Sequence, residues 1–393
     1  MKIQSKRVWS GGGFYPAQIT IEDGKICDVT PGTGSDADDD YGALRLIPGL
    51  IDTHTHGAWN YDANENDPDG LRRWAARLPA EGVTAFCPTT VTDEDATLLA
   101  ALNNIARVMD EGCAGAEMLG IHLEGPFLSQ KYRGAQPEKQ IRPASLRDFQ
   151  VFEQAARGRI VAITLAPEED AGFALTRYCA QKGIVVNMGH SDATFEQALA
   201  AVANGAKNVT HVYNGMAKYV NREPGLLGAA LRLDGLYGEV IADGIFVSLV
   251  SASHLYRVKN DNDVIMISDS MKAKGCPPGR YLFGGEPMIL GEDGATRREN
   301  GVLVGSTLQL NRGLYNMVEG AMVPFGAALK SCTLNPARLL GLDHRKGRLA
   351  RGFDADIVVL EDDYQVNTTF CRGERVFTRT SSPCAPAPRA FSG

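Results

Sequence analysis

The sequence predicts an α/β chain: a (β/α)8 TIM-type barrel with a small β-sandwich domain formed by both termini. Three observations carry this expectation. Short apolar, β-branched runs recur at 46–51, 83–87, 118–123, 160–165, 184–188, 208–211, 239–242 and 264–267. Amphipathic stretches such as 71–78, 95–109, 195–203 and 253–259 separate them, which is the alternation of a parallel barrel. Both chain ends carry strand-like texture instead.

The N-terminal part shows short alternating segments such as 18–22, a glycine turn at 10–13 and an acidic loop at 35–40. The glycines of Ser10-Gly-Gly-Gly13 precede no lysine-bearing helix, so a hairpin turn is expected there rather than a phosphate loop. Residues 275–305 are glycine-rich and polar, as in an inserted hairpin or lid, and Asn335-Pro336 opens a helix with proline in its first turn. Residues 347–360 return to strand character. The expected division is therefore 1–45 plus 343–393 for the β domain and 46–342 for the barrel. The last dozen residues, with Pro383, Pro386 and Pro388, are expected to fray.

At 393 residues the chain exceeds what one core usually organises, and its 44% hydrophobic and 22% charged content is ordinary for a globular protein. A net charge of −7 without a basic stripe argues against nucleic acid or an anionic membrane as partner. No apolar run approaches the ~18 residues of a membrane span, and the N-terminus lacks a signal-peptide core. The eight cysteines are scattered without a CxxC pair, so reduced thiols and a cytoplasmic location are expected.

A barrel of this type does its chemistry at the C-terminal ends of its strands. Those ends carry His54 and His56, then His122 and Glu124, His190, His211, and finally Asp269. His54 and His56 sit at i and i+2, on one side of a strand, so they can address one ion. A single histidine after a strand is ordinarily a hydrogen-bonded structural residue, and a lone carboxylate there can cap a helix. Convergence from separate strands changes the reading, because imidazoles and carboxylates meeting at one mouth form a nitrogen and oxygen ligand set for Zn2+ or another divalent ion. Such an ion acidifies a water and polarises a carbonyl, and hydrolysis further needs a proton carrier. Asp269, on the last strand, is the best-placed carboxylate for that task.

The strings "PGLIDTHTHG", "GIHLEGPF", "MGHSDAT", "THVYNGM" with "REPG", "ISDS", and "NPARLLGL…GRLARGFDADIVVL" resemble the amidohydrolase superfamily and, within it, the family of N-acetylglucosamine-6-phosphate deacetylases. The resemblance spans about residues 3 to 372. It implies a homodimer that hydrolyses the acetamide of a phosphorylated amino sugar with one or two divalent ions, Zn2+ being expected. By position it makes Glu124, His190 and His211 the ligands of the principal ion, matches His54 and His56 to a second-ion pair found in some members, and makes Asp269 the catalytic base and acid. It places the backbone at Asn214 and Gly215 against the sugar phosphate and sends Arg222 to the substrate of the neighbouring subunit. His122 is expected to orient the acetyl oxygen.

Two positions depart from the family pattern. Gln136 and Phe246 stand where members commonly carry substrate-contacting histidines. Gln136 can still hydrogen-bond a hydroxyl; Phe246 offers neither donor nor charge. The expected reaction is deacetylation of N-acetylglucosamine 6-phosphate. The same chemistry on N-acetylgalactosamine 6-phosphate or another N-acyl amino sugar is the alternative, and a non-catalytic scaffold is the remote one.

Overall fold

The computed structural model describes residues 1–380, so the expectation of a frayed C-terminus lies outside the described residues. Eight parallel strands form the barrel: β1 (Leu50–Thr55), β2 (Val83–Thr90), β3 (Ile121–Glu124), β4 (Ile160–Leu165), β5 (Val185–Met188), β6 (Ala206–Val209), β7 (Tyr237–Ile241) and β8 (Val264–Ile267). Each pairs in parallel with the next. The ring closes where the Asp269 amide donates to the His54 carbonyl at 2.9 Å and the Ser268 amide to Asp52 Oδ1 at 3.2 Å. Strands of such a barrel are covered on both faces, which is why they read as unbroken apolar runs.

Most intervening helices bury one apolar stripe, while Gly225–Arg232 buries its first six residues in a row. Pro68–Arg77 packs Leu71, Trp74 and Ala75 inward and starts at an Asp67 cap. Phe195–Ala203 opens with a capping box between Thr194 and Gln197. The last of the expected helices begins earlier than its apolar pattern suggests, as Leu249–Val258, because the Ser248 hydroxyl caps the Ser251 amide.

Two expected strands are redrawn by the structure. The run 46–51 is divided at Gly49: Arg45–Pro48 pairs with Ile357–Leu360 in the terminal sheet, and only β1 enters the barrel. At Gly49 any Cβ would lie 2.1 Å from the Thr84 hydroxyl, so the close crossing of the two domains requires glycine. The run 118–123 likewise breaks, with Glu117–Met118 pairing to β2 before the chain turns at Gly120 into β3.

Both termini build one sheet, in the order Glu374–Thr378, Val366–Cys371, Ile357–Leu360, Arg45–Pro48, Lys2–Ser10, Gly13–Glu22, Lys25–Pro31. Its own core contains Ile3, Val8, Ile19, Ile26, Leu46, Ile357, Val359 and Phe370. The turn at Gly11 and Gly12, both at positive φ, is the expected hairpin. Buried Lys346 joins sheet to barrel, meeting Glu117 at 2.7 Å, Asp354 at 2.9 Å and Asp356 at 2.6 Å. The insertion after β8 is a three-stranded antiparallel sheet (Gly279–Phe283, Glu286–Leu290, Thr296–Arg297) packed on Val91 and Met271. The seven cysteines among the described residues are unpaired. No helix among them is long and apolar enough to cross a membrane.

Candidate metal centre

Six side chains from five strand ends meet at one mouth of the barrel and are buried: His54, His56, Glu124, His190, His211 and Asp269. Three of them hold strained backbones. His190 (φ 48°), His211 (φ 29°) and Asp269 (φ 47°) lie in or near the left-handed region that non-glycine residues avoid. Such conformations cost on the order of 1–3 kcal/mol each and persist where surrounding structure holds a side chain in a required direction.

The hydrogen bonds settle which imidazole nitrogen faces inward. The Nδ1–H of His54 donates to Glu239 Oε2 at 3.1 Å, that of His56 to the Thr89 carbonyl at 3.0 Å, that of His190 to the Tyr132 carbonyl at 3.0 Å and that of His211 to the Asn214 carbonyl at 3.1 Å. Each partner can only accept, so every Nδ1 carries a hydrogen and every Nε2 turns its lone pair to the interior. These inward nitrogens crowd together: His54 and His56 at 3.3 Å, His190 and His211 at 3.1 Å. Facing lone pairs at that separation repel unless a proton or cation lies between them.

Glu124 stands between the two pairs. Its Oε1 is 3.4 Å from His54 Nε2 and 3.3 Å from both His190 and His211 Nε2, while Oε2 is 3.4 Å from His56 Nε2. Asp269 Oδ1 lies 3.2 Å from His56 Nε2 and 3.7 Å from His54 Nε2. Two ligand triads result, His54/His56/Asp269 and Glu124/His190/His211, each able to converge on one ion. Among the described residues, buried Glu124 Oε1 has no hydrogen-bond donor. Nitrogen and oxygen donors, inward lone pairs and an orphaned carboxylate oxygen together fit divalent ions such as Zn2+.

Without an ion, protons take the cation's place. Burial opposes charge on His56, but the hydrogen bond to Asp269 and the Glu124 charge outweigh it and raise its pKa to about 9. His211 is likewise opposed by burial and raised to about 9 by Glu124. For Glu124, burial favours the neutral acid, yet the surrounding imidazoles hold it well below the carboxylate range. Asp269 is lowered for the same reason, against its burial, by His56 and its neighbours. A pKa raised from the ordinary 6.5 to about 9 stabilises the ion-free fold fully below pH 6.5 and loses that contribution as pH rises through about 9. The melting temperature of chelator-treated protein should therefore fall across that window; a rise would overturn this electrostatic picture. Metal addition should displace those protons.

The centre opens into a cavity of about 240 Å³ whose lining includes Gln136, Asn214, Gly215 and Phe246. A Cβ at Gly215 would sit 3.0 Å from His190 Nδ1 and 3.2 Å from His211 Cε1, so only glycine lets the backbone pass this close to the rings. The buried Asn214 side-chain nitrogen has no partner among the described residues and is available to a ligand. Gln136 is placed differently from its expected contact with a sugar hydroxyl. Its Nε2 donates to Glu124 Oε2 at 2.7 Å and its Oε1 accepts from the Thr92 amide at 2.8 Å, so both ends of the amide orient the carboxylate. Arg222 is exposed and is not among the lining residues.

His122 is also displaced from its expected role. It lies fully buried and outside the cavity lining, donating from Nδ1 to the Thr53 carbonyl at 3.2 Å and accepting at Nε2 from Thr164 at 2.8 Å and Asn187 at 3.2 Å. Burial, then the His54 charge, drives its pKa well below normal and keeps it neutral. With both nitrogens engaged, it packs under the centre and does not face an acetyl oxygen. Sequence reasoning missed Phe283 and Leu303, which the insertion delivers to the cavity, and Glu239 behind His54. The acidic residue inside an apolar β7 was the one available signal for Glu239.

The Amidohydrolase family model matches residues 45–376, and the chain belongs to that family. Its relatives narrow the likeness. It is 40% identical over 335 residues to the N-acetylglucosamine-6-phosphate deacetylase of Bacillus subtilis (strain 168), covering 84% of each chain. It is 35% identical over 373 residues to the N-acetylgalactosamine-6-phosphate deacetylase of Escherichia coli O157:H7, covering 95% of this chain and 98% of that one. Among solved structures, a mutant N-acetyl-D-glucosamine-6-phosphate deacetylase of Mycobacterium smegmatis, in complex with N-acetyl-D-glucosamine-6-phosphate, superposes with a TM-score of 0.91 at 29% identity, covering 96% of this chain and 99% of that one.

Proposed function

We propose that this chain hydrolyses the acetamide of N-acetylglucosamine 6-phosphate to acetate and glucosamine 6-phosphate. The observation that carries the chemistry is Glu124 set between two pairs of inward imidazoles with Asp269 on the same cavity wall; the named relatives supply the sugar. Glu124, His190 and His211 would hold the principal ion and His54, His56 and Asp269 a second, with Zn2+ suited to the donor set. A bound divalent ion supplies Lewis acidity for the acetyl carbonyl and makes a water acidic enough to react near neutral pH.

The chain's own groups do the rest. Asp269, held anionic, accepts the proton of the attacking water and returns it to the departing sugar nitrogen. Gln136 and the tight turn at Gly215 keep Glu124 and the two imidazoles aimed, and the free Asn214 amide offers a donor to the substrate. Among the described residues neither Lys nor Arg lines the cavity, so the phosphate's counter-charge must come from its rim. We assign that part to Arg222 of a second copy: the segment bearing it exposes Tyr219 (56%) and Val220 (52%), apolar surface suited to a homodimer contact.

Phe246 favours a second reading. It gives the cavity an aromatic wall beside Phe283, Val302 and Leu303, which suits the apolar face of a sugar and offers no polar contact to it. N-acetylgalactosamine 6-phosphate is then the competing substrate. Amine release by the Zn2+-loaded protein from both 6-phosphates and both unphosphorylated sugars decides. Preference for N-acetylglucosamine 6-phosphate upholds the leading reading, preference for the galactosamine ester installs the second, and turnover of neither ester removes both.

A further inference from the structure

We propose that Glu239 is a positioning residue for the second ion, holding His54 as its ligand within a chain of buried hydrogen bonds in which each donor and acceptor is fixed. The inference rests on the two-ion reading of the centre. Of the four inward-facing histidines, three lean on neutral backbone carbonyls; His54 alone leans on a carboxylate, at 3.1 Å. A carboxylate behind a ligating imidazole fixes the ring's tautomer and direction and raises its basicity.

The surroundings of Glu239 make that contact directional. Glu239 is 1% exposed, and its Oε1 accepts from Asn208 Nδ2 at 2.9 Å. Because the carboxylate can only accept, Asn208 must present its amino group, which also reaches Asn187 Oδ1 at 3.2 Å. Asn187 is thereby turned to offer its own amino group to His122 Nε2 at 3.2 Å, and His122 in turn donates from Nδ1 to the Thr53 carbonyl at 3.2 Å. The chain thus leaves β1 at His54 and returns to it one residue earlier. Every member has one permitted orientation, so the ring of His54 is fixed from behind as well as by its own strand.

Charge points the same way. Among the described residues, His54 is the one basic side chain within ion-pair reach of Glu239. A buried carboxylate is costly unless a cation lies within reach. A divalent ion on the far nitrogen of that imidazole would offset the charge, and the His54/His56/Asp269 triad brings only one carboxylate of its own. Glu239 supplies the missing anion without occupying a coordination position.

The test is Glu239→Gln in the full-length chain, with Zn2+ bound per chain measured by elemental analysis at chelator-buffered free Zn2+. The expected result is that the second ion binds about 10–100-fold more weakly while the first keeps its affinity. Glu239 Oε2 also meets the His211 amide at 3.4 Å, a long contact that the glutamine oxygen can keep, so a merely structural loss would move both ions or neither. Two ions bound with wild-type affinities in the variant overturn the proposal. A wild-type chain that holds a single ion sinks the two-ion reading instead, so the failures are distinguishable. Should the variant not fold by circular dichroism, Asn208→Ala keeps the carboxylate and cuts the chain; an unweakened second ion there overturns the proposal equally.

Discussion

Asp269→Asn should lower kcat by about 10²–10⁴-fold while the principal ion stays bound, because a positioned proton carrier contributes a factor of that size. The asparagine keeps the shape of the side chain and the hydrogen bond that the backbone N–H of residue 269 donates to the His54 carbonyl, so the ring closure between β8 and β1 survives. What it removes is the anion that His56 and its neighbours hold ionised. Glu124, His190 and His211 do not include this residue, so their ion should be unaffected. Measuring kcat beside metal content separates the roles: residual activity within about threefold of the original would end the assignment of Asp269 as proton carrier.

Glu124→Gln should have the broader effect, loss of metal as well as of turnover. One carboxylate lies within 3.4 Å of all four inward nitrogens, and no other acidic group among the described residues does. A neutral amide retains the volume but not the charge, and its amino group would point hydrogens at lone pairs or at a cation. Removing this ligand should cost more than the roughly 100-fold in metal affinity seen when only a supporting partner is lost. Elemental analysis after dialysis is the measurement, and a variant that keeps the normal ion content would refute the central place given to Glu124. The same substitution should also lower the pKa values of His56 and His211 in ion-free protein, since Glu124 is among the groups holding each up.

The sequence alone determined the barrel and the residue types at its mouth. Parallel strands covered on both faces leave unbroken apolar runs, so the positions of β2, β4, β5 and β8 are legible by eye, and the polar residues that end them stand out against that background. His54, His56, Glu124, His190, His211 and Asp269 were each legible in this way, one strand end at a time. Three things were decided only by the tertiary structure. The division of the first apolar run at Gly49 depends on Thr84, which comes from the next strand. The inward turn of each Nε2 depends on acceptors such as the Thr89 and Tyr132 carbonyls, and backbone oxygens have no signature in a sequence. The tasks of Gln136, His122 and Glu239 depend on hydrogen bonds to residues 12, 65 and 185 positions away. A side chain's type states what it can donate or accept; only the folded chain decides which partner is within 3 Å of it.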